Sequence, residues 1–165
     1  MILNNIIYMD LPEYEEDYKK GVYANLTTGK KALESGLPGV AFVRALWTCE
    51  NALKAVLVKS KKFIKKRPPE GDLHHDCWKL FLKIQEKGIL PHGIRDEVHD
   101  TIYDLLWVNI KNKTGNTHMN TAPPQTGKLI GDIRYLDLDE YIIQPYAAEK
   151  IAKASRIVEL LESLM

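Results

Sequence analysis

Apolar positions recur at close to 3.6 residues in five separate segments of this chain, and none of the five alternates at two. Between Glu13 and Glu34 the residues Tyr14, Tyr18, Val22, Leu26 and Leu33 fall near helical spacing. Gly21 and Gly29 weaken that helix, and Ser35-Gly36 closes it. Pro38 suits a first helical turn, where its missing N–H would have no partner in any case. From Val40 the positions Val43, Leu46, Trp47, Leu53, Val56 and Leu57 predict a second helix reaching about Lys66, since neither Gly nor Pro interrupts it before Pro68. After the loop composition of Pro68–Asp72, Asp72 is the expected cap of a third helix holding Cys77, Trp78, Leu80, Phe81 and Ile84, with Gly88 at its end. Ile94, Val98, Ile102, Leu105 and Leu106 describe a fourth helix, to about Val108. Ala147, Ile151, Ala154, Val158, Leu161 and Met165 describe a fifth, from about Pro145.

The stretch between the last two helices has a different character. Residues 111 to 128, KNKTGNTHMNTAPPQTGK, are polar, rich in Asn and Thr, and broken by Pro123-Pro124, so a flexible loop is predicted there. It leads towards Arg134 and is expected to act as a flap. The predicted fold is therefore all-α, an antiparallel bundle of about five helices with a long polar loop before the last. No internal repeat is present, and 165 residues are enough for a single domain over 1–165, with its core over about 13–165.

Charge and cysteine content narrow the classes. Twenty-three Lys and Arg against 22 Asp and Glu leave a net charge of +1, which argues against a surface that is basic all over. Cys49 and Cys77 are too far apart in sequence to form a zinc ribbon or a secreted disulfide framework, so a reducing cytoplasm is the expected compartment. No basic leader or long apolar run predicts export or a membrane span.

Three short motifs stand in order along the helices. Gly39 to Lys59 reads GVAFVRALWTCENALKAVLVK and contains Glu50-Asn51-Ala52-Leu53-Lys54; His75-Asp76-Cys77-Trp78-Lys79-Leu80 opens the third helix; Ile133-Arg134-Tyr135 precedes the last. These resemble the HEPN superfamily of helical-bundle domains: its second helix with a Glu followed by a Lys, its His-Asp-Leu opening, and its Arg-Tyr-Pro signature. Cys77 replaces the leucine and Leu136 the proline, and the last helix, Ala148 to Leu164, fits as well. The resemblance covers about Leu26 to Leu164. It implies a module that binds nucleotide or RNA, is often dimeric, and is often encoded beside a nucleotidyltransferase partner. Brought together, Glu50, Lys54, His75, Asp76 and Arg134, with Tyr135 beside them, would form a polar cluster of mixed sign that either holds a phosphate or nucleotide or locks three elements together.

Cleaving members of that superfamily carry an Arg and a His four to six residues apart, supplying charge stabilisation and proton transfer for attack of a 2′-OH on phosphate. Here Arg95 and His99 enclose only three residues, two of them acidic, so a non-catalytic module that binds nucleotide, nucleic acid or a partner protein is the leading expectation. The alternative is a metal-independent endoribonuclease, a toxin or phage-defence effector using Arg95 and His99; a structural interaction domain without ligand is the third reading. Independently, Lys59, Lys61, Lys62, Lys65, Lys66 and Arg67 place six cations in nine residues, a candidate contact for a phosphate backbone. No cofactor is expected. No metal is expected either, because His74-His75-Asp76 lacks the one-turn spacing that puts two ligands on one helix face.

Overall fold

The computed structural model describes residues 11–62, 75–111, 117–121, 123 and 142–165. Among the described residues there are five helices: α1 (Leu11–Glu34), α2 (Pro38–Ser60), α3 (Cys77–Glu86), α4 (His92–Leu106) and α5 (Gln144–Leu161), the last followed by a short 3-10 turn, Glu162–Leu164. The all-α class expected from periodicity is the class observed. No described helix is long and apolar enough to cross a membrane.

Helix α2 is the centre of the domain. Phe42, Leu46, Leu53 and Leu57 are buried along it, and so are Ala41, Ala45, Ala52 and Ala55 on its other sides, where small side chains let α1, α3 and α5 approach together. Cross-helix pairs give the directions. Asn25 with Arg44 and Tyr18 with Lys54 set α1 antiparallel to α2; Tyr23 with Glu162 and Leu33 with Gln144 set α1 antiparallel to α5. Glu97 with Arg156 and Asp104 with Lys153 set α4 antiparallel to α5, and Trp78 with Tyr103 and Phe81 with His99 do the same for α3 and α4.

The two glycines that weaken α1 in sequence have a packing reason. A Cβ on Gly29 would lie 2.6 Å from Ile151 Cδ1 and 3.1 Å from Arg44 Cβ, and one on Gly21 would lie 2.7 Å from Asn51 Nδ2. Glycine there allows α1 to sit close on α2 and α5, offsetting the roughly 1 kcal/mol it costs relative to alanine in a helix.

Several boundaries differ from the sequence expectation. Helix α2 stops at Ser60, not near Lys66, because Lys61 turns into the left-handed region (φ 56°) and its N–H bonds Val58 O. Asp76 caps α3; Asp72 lies outside the described residues. Helix α4 ends at Leu106 because Trp107 is extended, and Val108 opens a short strand. That strand, β1 (Val108–Lys111), pairs antiparallel with β2 (Thr117–Thr121), Val108 opposite Thr121 and Ile110 opposite Met119. Part of the predicted polar loop is thus paired strand, and residues 112–116, 122 and 124–128 of it lie outside the described residues. Val-Asn-Ile-Lys does alternate at two, but it is too short to register against the helical pattern around it, and Thr-His-Met-Asn-Thr holds only one apolar residue, Met119. Trp47, expected in the apolar stripe, is only half-buried, with the Arg44 guanidinium 4.8 Å from its ring.

Candidate functional site

Helix geometry brings Glu50 and Lys54 together, one turn apart on α2, where Lys54 Nζ lies 2.7 Å from Glu50 Oε1 and both side chains are more than nine-tenths buried. The Tyr18 ring of α1 stands 5.5 Å from the same ammonium. His75, just before α3, reaches down to this pair: its Nδ1 is 2.9 Å from Glu50 Oε1 and 3.5 Å from Lys54 Nζ. A carboxylate only accepts, so Nδ1 donates, and a neutral ring then carries its lone pair on Nε2. Three-quarters of the His75 side chain is exposed, so a buried ion pair has one solvent-facing partner. These are three of the six residues expected to cluster.

The other three stand differently. Asp76 Oδ1 accepts from Trp78 N–H at 2.9 Å and Lys79 N–H at 3.3 Å, so this carboxylate is the N-cap of α3. Arg134 and Tyr135 lie outside the described residues. In the basic run, Lys59, Lys61 and Lys62 are exposed at the end of α2, where they complement the helix dipole; Lys65, Lys66 and Arg67 lie outside the described residues.

Arg95 and His99 share one face of α4, as their spacing requires, and each is engaged by the acid that follows it. Arg95 Nε is 3.7 Å from Asp96 Oδ1, and His99 Nδ1 is 2.9 Å from Asp100 Oδ1. The His99 ring also packs among Trp78 at 5.6 Å, Phe81 at 5.7 Å and Tyr103 at 6.3 Å between ring centroids. Tyr103 continues the series to Trp78 at 6.1 Å and to Trp107 at 6.4 Å.

A row of rings therefore runs along the seam of α3 and α4, with Arg95 one turn from His99 and Trp107, 47% exposed, at the other end. His75 is three residues before Trp78, so the polar triad and the ring row adjoin through the first turn of α3. Sequence reasoning missed the row. Its α4 half was visible as Arg95, His99, Tyr103 and Trp107 at intervals of four, but Trp78 and Phe81 join it only through tertiary packing.

Lys150 holds the far end of the row in place. It is buried on α5, and its Nζ donates to the carbonyls of Asp104 and Trp107, two of the acceptors that α4 leaves unpaired where it ends. Tyr146 Oη donates to the Trp107 carbonyl at 3.3 Å, and the Tyr146 ring lies 5.0 Å from the Lys150 ammonium. Burial lowers the Lys150 pKa to about 8. Among the described residues no group of three or more His, Cys, Asp or Glu is placed to hold a metal ion. Compared with protein-family models, curated proteins and solved structures, the chain matches none.

Proposed function

We propose that this domain is a non-catalytic binding module of the HEPN-like type, and that its ligand is single-stranded RNA laid along the α3–α4 seam. The observation that carries the reading is the partly open row of Trp78, His99, Tyr103 and Trp107 rings. Aromatic faces accept any base, and each stacked base is worth about 1–3 kcal/mol. Arg95 on α4 and the exposed Lys79 on α3 supply cations beside the rings, and His75 extends the surface towards the buried pair. Support for a binding role over cleavage comes from Arg95 and His99 themselves. Each already contacts a neighbouring carboxylate, which offsets the positive charge that a cleaving Arg and His would bring to a phosphate, and the His99 ring packs on three others as part of the row.

The test is fluorescence anisotropy with an end-labelled single-stranded oligoribonucleotide and with the same sequence as a duplex, in EDTA at low salt. The single strand binds, the duplex binds more weakly, and Trp107→Ala weakens single-strand binding by roughly fivefold or more, equivalent to about 1 kcal/mol of lost stacking. The RNA is recovered intact. Absence of binding would overturn the reading, and cleavage abolished by His99→Ala would replace it with the endoribonuclease.

A further inference from the structure

Two buried cysteines stand next to the polar triad, one on α2 and one at the start of α3. Leu46 and Cys49 lie one turn apart on a single face of α2, and Cys77, the first residue of α3, sits over that turn. The Cys77 thiol approaches the Leu46 carbonyl at 3.7 Å, which places it over the turn of α2 that carries Cys49. Both residues are buried and neither is in a disulfide. Their positions in sequence tie them to the site: Cys49 precedes Glu50, and Cys77 follows His75 by two residues.

We propose that Cys49 and Cys77 form a thiol–disulfide modification site whose oxidation staples α3 to α2 and resets the contact between His75 and Glu50. The oxidant class is a small-molecule disulfide such as oxidised glutathione. One cysteine thiolate attacks a sulfur of that disulfide, forming a mixed disulfide and releasing one glutathione thiolate, which takes up the proton the cysteine lost. The second cysteine gives up its proton and attacks the protein-bound sulfur of the mixed disulfide, expelling the second glutathione. The two cysteines are oxidised by two electrons and one glutathione disulfide is reduced to two thiols.

Two features shape the behaviour of this site. The neighbouring Cys49 thiol, followed by burial, holds the Cys77 thiol well above the usual thiol range, so it carries little thiolate in the closed domain. Exchange therefore waits on opening of the first turn of α3, which the Asp76 cap and the His75–Glu50 contact hold down. Once formed, an S–S bond of about 2.05 Å is shorter than any non-bonded sulfur contact, so the start of α3 must draw in towards α2. His75, two residues away, moves with it.

The experiment incubates the full-length protein with oxidised glutathione, with and without a sub-denaturing concentration of urea, and maps the products by mass spectrometry. A mass loss of about 2 Da, with one peptide pair joined through Cys49 and Cys77, is the expected product, and urea accelerates its formation. The oxidised protein melts roughly 5–10 °C higher. In its NMR spectrum the His75 ring signals shift, whereas those of the distant, exposed His92 do not. Thiols that stay fully reduced in urea, or products limited to glutathione adducts and cross-linked dimers, would overturn the proposal. So would a disulfide that leaves the His75 signals unmoved. Because the mapping uses the unaltered protein, the result does not depend on whether Cys49→Ser or Cys77→Ser folds.

Discussion

Replacing Glu50 by alanine leaves the Lys54 ammonium, with 6% of its side chain exposed, without the carboxylate that stands 2.7 Å away. An uncompensated buried charge costs about 3–5 kcal/mol. The Tyr18 ring, 5.5 Å from Nζ, offsets about 1 kcal/mol of that through its quadrupole. A net loss of about 3 kcal/mol is therefore expected for Glu50→Ala. Lys54→Met is milder, at about 2 kcal/mol, because His75 Nδ1 still donates to Glu50 and the carboxylate keeps one partner. The double variant Glu50→Met/Lys54→Met removes both charges and fills the space with apolar atoms, and it returns to within about 1 kcal/mol of the parent. Urea unfolding followed by far-ultraviolet circular dichroism gives all three values, and the double-mutant cycle isolates the coupling. A loss below about 1 kcal/mol for Glu50→Ala, or a double variant as unstable as the two single losses added together, would refute the reasoning that the pair is desolvated and mutually dependent.

Three further outcomes follow from the packing and the charges. Since the folded pKa of Lys150 lies near 8, below its unfolded value of 10.5, the unfolded chain binds more protons between those values and stability rises with pH across that window, by up to about 3 kcal/mol; the rise, measured by urea unfolding at several pH values, disappears in Lys150→Met. Gly29→Ala destabilises by about 1–3 kcal/mol despite its better helix propensity, because the new methyl meets Ile151 and the backbone-proximal Cβ of Arg44; a stabilised variant would show that α1 can move away freely. Replacing Lys59, Lys61 and Lys62 by Gln lowers the slope of log affinity for single-stranded RNA against log salt by up to about 2 if all three contact phosphate, and an unchanged slope confines them to solubility and the helix dipole.

Much of this architecture was legible from spacing alone, and the parts that were not share a cause. The five helices followed from apolar periodicity because each buries one face on a neighbour. His75 was expected to join Glu50 and Lys54 in a polar cluster, and its ring does lie against both. Asp76 was expected to be part of a ligand site, yet capping the first turn of a helix gives a carboxylate two backbone partners at once, and local geometry took precedence. The end of α2 was misplaced because a single lysine, Lys61, adopts a left-handed conformation that no residue preference announces. The ring row and the cysteine pair each join α3 to another helix, and such pairings depend on helix rotation and register that a one-dimensional pattern does not carry.

The reading of the α3–α4 seam as the binding face is tested most directly by the indole N–H signals of the three tryptophans in a proton–nitrogen NMR titration with single-stranded RNA. Trp78 and Trp107 belong to the ring row, whereas Trp47 lies on α2 against Arg44 and serves as the internal reference. The account predicts saturable shifts of the Trp78 and Trp107 signals with the Trp47 signal unmoved. Shifts confined to Trp47, or three signals that stay in place while the RNA is bound, would contradict it.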